Sequence, residues 1–311
     1  MPKKRDNIKI IVSGLDYAGK TSILTALDKK YDFRKEILEL KPTIKVEYHQ
    51  FNFLGNIVNM WDMGGQKMYR ELYEKKKDVY FANTDLLVYI IDVQDENRYE
   101  ESLDYFSIIL NYFVENEIEV PIIVSFHKFD PEIRGDENIN NNISTLREKI
   151  LEKFPSFKIL FQITSIYDII SIVQLISYGL SVFDNEFFNL SNLFEKYLEI
   201  LGCTALILFD KNGIIISEFY KDEIDPSIYV ELLESIKEHL FLLKRMLEEK
   251  YEFDYNFFTL ESKLLSYMHK IQYKKYPYYI SVIIEETKKE LLLDKFPDFI
   301  DEVTSIFKKL L

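Results

Sequence analysis

Cysteine is nearly absent from these 311 residues: Cys203 stands alone, so no intramolecular disulfide can form within the chain. That fits a reducing, intracellular setting, and no charged, apolar and small-residue leader pattern opens the sequence. Positive charge is also scarce, with 39 Lys and Arg against 52 Asp and Glu, a net charge of -13. A general nucleic-acid binder needs a basic face to neutralise phosphates, and the short "PKKR" at residues 2–5 is the one basic tract. Long apolar runs are missing too. The most apolar stretch, "DIISIVQLISYGLSVF" at 168–183, falls short of the ~20 residues of a membrane span and repeats polar residues on one face. It reads as an amphipathic helix. Pro2 stands where N-myristoylation requires glycine. These gaps predict a cytoplasmic protein that takes no nucleic acid, inserts into no membrane, and meets membranes only peripherally through partners.

What is present is apolar and aromatic: 47% of residues are hydrophobic and 15% carry an aromatic ring, enough for buried cores throughout. The length favours two domains. Up to about residue 183, short apolar runs alternate with amphipathic helical patterns, which predicts a mainly parallel sheet covered on both faces. "VEYHQFNF" and "NIVNMWD", around the short turn at Leu54, Gly55 and Asn56, must pair antiparallel, so the sheet should be mixed. After "DNEFFNLSNLFEKYLEIL", which should stop at Gly202, the rhythm changes. "TALILFD", the turn "KNG" with Asn212 and Gly213, and "IIISEFY" predict a hairpin. A long helix over "SIYVELLESIKEHLFLLKRMLEE", three strands and a closing helix over "FPDFIDEVTSIFKKLL" complete an α+β unit.

Five segments carry chemistry. "GLDYAGKTS", Gly14 to Ser22, follows a strand and opens a helix, as a phosphate-cradling loop must. Its glycines permit tight turns that aim backbone amides inward, and the helix N-terminus adds partial positive charge. Lys20 would reach the β and γ phosphates and the Thr21 hydroxyl would meet Mg²⁺. In "WDMGGQ", Asp62 is suited to the Mg²⁺ water shell, the Gly65 amide to a γ phosphate, and Gln66 to the attacking water. Thr43, before the edge strand, can close over metal and phosphate. In "HKFD", Asp130 can accept both guanine N–H groups, Lys128 can lay its stem over the ring, and His127 replaces an expected asparagine. In "TSIYD", an amide of Ser165 or Ile166 can donate to the guanine oxygen.

In this order the five segments resemble the small GTPases. Trp61 before Asp62 and the paired Gly64 and Gly65 are similar to the Arf and Rag branches. The histidine of "HKFD", with "TSIYD" and "FLGNIVNMWDMGGQ", resembles the Rag/Gtr family in particular. The resemblance implies a P-loop small-GTPase domain over 1–184 and a roadblock (longin-like) dimerisation domain over 185–311. It implies GTP or GDP held by Asp16, Tyr17, Ala18, Gly19, Lys20, Thr21, Ser22, Thr43, Gly65, His127, Lys128, Asp130, Ser165 and Ile166. Mg²⁺ would sit at Thr21, Thr43 and Asp62, with Gln66, Lys20 and Thr43 serving hydrolysis. As partners it implies a homo- or heterodimer, roadblock or longin scaffold proteins, and GTPase-activating and exchange proteins, in nutrient-linked or membrane-associated signalling. The alternatives are a scaffold with static nucleotide and an Arf-like trafficking GTPase.

Overall fold

In the computed structural model, residues 7–29, 40–53, 56–168, 171–172, 174–175, 178–179, 186–210, 215–221, 255–259, 264–273 and 276–310 are described. The chain divides into two compact units, Met1–Gly179 and Leu180–Leu311. The first is built on a six-stranded sheet of order β2-β3-β1-β4-β5-β6. Its strands are β1 (Asn7–Gly14), β2 (Val46–Phe53), β3 (Asn56–Met63), β4 (Leu86–Asp92), β5 (Ile122–His127) and β6 (Ile159–Thr164). Strands β3, β1, β4, β5 and β6 run parallel to one another and β2 is the antiparallel edge. The mixed sheet expected from the short turn at Leu54, Gly55 and Asn56 is therefore present.

The parallel strands read as near-continuous apolar runs because helices cover both faces. Strand β4 shows the consequence, with Leu86, Leu87, Val88, Tyr89 and Ile90 all excluded from solvent. The helices are α1 (Lys20–Lys29), α2 (Lys67–Lys75), α3 (Lys77–Tyr80), α4 (Tyr99–Glu115) and α5 (Glu137–Lys153). Described positions between 171 and 179 are also helical, and Ile172 and Leu175 are buried. Aromatic rings of α4 make the core beside β4: Tyr89 and Phe106 lie 4.5 Å apart and the Tyr89 hydroxyl donates to the Ser102 carbonyl at 2.7 Å. Helices α2 and α3 are separated at Lys76, whose φ of -130° and ψ of 44° are not helical.

The second unit contains a five-stranded antiparallel sheet of order β8-β7-β11-β10-β9. Its strands are β7 (Ala205–Asp210), β8 (Ile215–Tyr220), β9 (Tyr255–Thr259), β10 (Leu264–Tyr273) and β11 (Tyr276–Glu285). Helix α6 (Glu186–Leu201) ends at Gly202, whose φ of 58° is the left-handed cap that glycine supplies most easily. The expected turn at Asn212 and Gly213, and the expected long helix over 227–249, lie outside the described residues. The closing helix α7 (Lys289–Leu310) begins seven residues before the expected start at Phe296 and holds Pro297 inside it. Leu292, Phe296, Phe299, Val303 and Phe307 form one buried stripe at helical spacing, and that burial outweighs the hydrogen bond lost at proline.

Candidate functional site

The loops leaving the C-terminal ends of the parallel strands gather at one edge of the first sheet, where open α/β sheets take their ligands. Strand β1 delivers the chain into the phosphate loop at Gly14, which has φ of 146°. A Cβ there would lie 2.3 Å from the Ile90 carbonyl oxygen, so the loop can leave β1 only through glycine. Tyr17, with φ of 62°, is largely exposed, while Ala18 is buried. Lys20 is 5% exposed, and its Nζ donates across the loop to the Leu15 carbonyl at 2.7 Å. Burial lowers the Lys20 ammonium to about 8, against the opposing pull of Asp62 and Asp16. The loop thus holds its cation ready beside the amides that follow it.

Thr21, Thr43 and Asp62 meet although they lie on three separate segments. Thr21 Oγ1 donates to Asp62 Oδ2 at 2.6 Å, Thr43 Oγ1 donates to the same oxygen at 3.2 Å, and the two hydroxyls lie 2.8 Å apart. Asp62 and Thr43 are buried. Three hard oxygens converging beside a phosphate loop suit Mg²⁺, which takes oxygen ligands and leaves positions for water and phosphate. Next along the chain, Gly65 presses on the phosphate loop: an added Cβ would lie 2.2 Å from both the Asp16 amide nitrogen and the Leu15 carbonyl carbon. Gln66 is the N-cap of α2 in extended geometry, and its side chain makes no capping bond.

His127 closes the other side of the loop. It is 1% exposed, its Nδ1 lies 2.8 Å from Thr164 Oγ1, and its ring lies where a Cβ on Gly19 would be 2.4 Å from Cδ2. Gly19 has φ of 93°. The imidazole ties the base loop to the phosphate loop by packing rather than by the hydrogen bond an asparagine amide would offer. Burial, helped by the Lys128 charge, lowers its pKa from 6.5 to about 3, so the ring stays neutral.

Lys128, in left-handed geometry with φ of 63°, pairs with Asp92 at 2.6 Å. Asp130 is held from two directions: Ser165 Oγ donates to Oδ1 at 2.6 Å and Gln94 Nε2 to Oδ2 at 3.1 Å. Each carboxylate oxygen keeps a lone pair for a base N–H. The Ser165 amide donates to Ser171 Oγ at 3.1 Å, so of the two amides expected to meet the guanine oxygen, this one is already engaged.

A set of charged groups links the rim of the site. Arg98 donates to the Asp16 carboxylate and carbonyl, and its Nε donates to Glu101 at 3.0 Å. Glu101 also receives Arg70, whose Nε donates to the Gly65 carbonyl at 2.8 Å. Phosphate loop, Gly65 turn and the start of α4 are therefore joined through one carboxylate.

Residues 9–238 match the family model described as the Gtr1/RagA G protein conserved region. The chain belongs to this family. Among relatives of the Gtr1/RagA chain is the Ras-related GTP-binding protein A of Dictyostelium discoideum. It is 25% identical over 248 residues, covering 75% of this chain and 77% of that protein. The GTP-binding protein gtr1 of Schizosaccharomyces pombe is 26% identical over 231 residues, covering 73% of each. A solved structure of the Arl6 BBS3 small GTPase from Trypanosoma brucei, with bound nucleotide analogue GppNp, aligns with a TM-score of 0.45 and 16% identity. It covers 57% of this chain and 97% of that one.

In this Gtr1/RagA protein, sequence reasoning missed Arg70, Asp92, Gln94, Arg98, Glu101 and Ser171. Arg98 and Glu101 stand three apart at the start of α4, a spacing that puts them on one face. That pairing could be read from the sequence. Their reach to Asp16, 82 positions away for Arg98, could not.

Proposed function

We propose that this G protein is a Mg²⁺-dependent guanine-nucleotide switch. The observation that carries it is the meeting of Thr21, Thr43 and Asp62, because Thr43 precedes the edge strand and Asp62 precedes the Gly64-Gly65 turn. Two segments far apart in sequence are thus joined to the phosphate loop at one point, where loss of the γ phosphate would release them. As a member of the Gtr1/RagA family the chain is a GTPase. Lys20 and the amides from Asp16 to Ser22 bind the phosphates, Asp130 with Ser165 and Gln94 selects guanine, and Gln66 orients the attacking water. Mg²⁺, when bound at Thr21, Thr43 and Asp62, would neutralise charge developing on the phosphate oxygens.

Hydrolysis by the protein alone is slow in this proposal. Arg70 and Arg98, the arginines at the rim, are each engaged by Glu101, and Arg98 by Asp16 as well. An arginine from an activating partner would add a factor of up to ~10³ to 10⁵. Phosphate release from purified protein near such activated rates would sink this part of the proposal.

The second half, 185–311, is proposed as a roadblock-like dimerisation domain that recruits scaffold partners in signalling. Its helix, hairpin and later strand order support this reading, and β8 and β9 offer edges for association. Native mass with identification of the co-purifying nucleotide tests the whole: a dimer carrying GDP or GTP is expected, and a nucleotide-free monomer overturns it.

A further inference from the structure

Among the described residues, three buried side-chain polar atoms make no hydrogen bond: His49 Nε2, Asp62 Oδ1 and Ser217 Oγ. Two of these atoms belong to neighbours on one face of the β2–β3 pair. Glu47 lies directly opposite Asp62 in the antiparallel register, and His49 follows two residues later on the same strand, hence on the same side. One ligand atom from each of Glu47, His49 and Asp62 lies within 4.8 Å of the others.

We propose that Glu47, His49 and Asp62 form a second metal site, for a borderline transition-metal cation of the Zn²⁺ class, separate from the Mg²⁺ position. A buried nitrogen or oxygen left without a partner costs about 1–3 kcal/mol, so two such atoms on residues of one close donor group point to a ligand shared between them. One imidazole with two carboxylates is a donor set for Zn²⁺ and its neighbours in the first transition row. Mg²⁺ seeks oxygen and water instead. The two oxygens of Asp62 divide the work: Oδ2 accepts the hydroxyls of Thr21 and Thr43, and Oδ1 is left for the second cation. Glu47 is exposed and His49 half-buried, which gives the ion a path from solvent. Such a cation would fasten the edge strand to the carboxylate serving the nucleotide site; this coupling, but not the binding itself, rests on the switch proposed above.

The test uses the full chain loaded with GDP in excess Mg²⁺ and titrated with Co²⁺, whose visible absorption reports an imidazole ligand. One equivalent is expected to bind, to be displaced by Zn²⁺, and to lose about tenfold or more in affinity in His49→Gln and in Glu47→Gln. Both variants are expected to keep wild-type binding of a fluorescent GDP analogue. Co²⁺ uptake with the same affinity and spectrum in His49→Gln overturns the site. So does the absence of uptake by the wild-type protein, which would leave a bound water as the partner of both atoms. Loss of GDP binding by the wild-type protein would undo the switch reading and leave the metal site standing.

Discussion

Arg98 grips Asp16 twice, donating through Nη2 to the carboxylate at 2.6 Å and through Nη1 to the main-chain carbonyl at 3.1 Å. The second bond is to the backbone of the phosphate loop itself, so the arginine acts on loop shape and not only on charge. Both side chains are about a quarter exposed, which limits the pair to about 1 kcal/mol. Arg98→Met keeps the stem and removes the fork. Release of a fluorescent GDP analogue should become about fivefold faster. An unchanged release rate would mean that the loop holds its shape without this grip.

His127 supplies a pH dependence. The unfolded chain takes up the imidazole proton near 6.5, while burial keeps the folded protein from doing so until about 3. Stability from this group is therefore complete above 6.5 and falls as pH drops through that window. At pH 5 the loss should be about 2 kcal/mol, and any folded value well below 5 gives the same figure. Urea unfolding at pH 7 and pH 5 measures it. His127→Asn, which does not titrate, should lack this part of the decline; parallel curves for the two proteins would assign it to other groups.

Asp130 stands between two donors that fix its carboxylate plane. Asp130→Asn should exchange guanine for xanthine preference, because the amide donates where the carboxylate accepts. Gln94→Leu removes one of the two donors and should weaken GDP binding by about three- to tenfold without changing that preference. Competition titration of GDP against XDP separates the two outcomes. A Gln94→Leu protein that gained xanthine affinity would show that Gln94 reads the base directly.

Gly65 is packed too closely against Leu15 and Asp16 for a methyl group. Gly65→Ala should displace this turn from the phosphate loop. GDP binding should survive, whereas affinity for a non-hydrolysable GTP analogue and hydrolysis should each fall at least tenfold. Equal loss for both nucleotides would indicate damage to the loop as a whole.

In the second unit, Phe299 is fully buried with its ring centroid 5.1 Å from Phe194, 4.7 Å from Tyr197 and 5.8 Å from Phe296. Phe299→Ala should cost about 3–5 kcal/mol, since three rings would line the cavity. Thermal unfolding should show a lowered transition for that unit. A loss under 1 kcal/mol would mean that the rings collapse into the gap.

The sheet was legible because its signals are local. In the sequence a turn as short as Leu54, Gly55 and Asn56 allows only an antiparallel pair, and the Gly14 to Ser22 pattern required a strand before it and a helix after it. The closing helix was expected to start at Phe296 and starts at Lys289, because Leu292 extends its buried stripe one turn further back. Distance in sequence hid the charged groups around Glu101. Arg70, Arg98 and Glu101 look like solvated surface residues until the fold brings them beside Asp16 of the phosphate loop. The Ser165 amide was an eligible donor in sequence and is engaged by a neighbour six positions on. His127 was the reverse, a residue whose departure from an expected asparagine was visible at once, while its contact with Gly19 required the fold.

Among the described residues, strand β2 is bonded on one side only, whereas β3 is bonded on both, antiparallel to β2 and parallel to β1. This asymmetry has a mechanical meaning. A pull on the segment that carries Thr43 loads β2 in peeling, breaking its ladder a rung at a time, while β3 is loaded in shear and resists as a unit. The nucleotide site can therefore lose one wall to a tug from a bound partner and keep Asp62, and the frame behind it, in place.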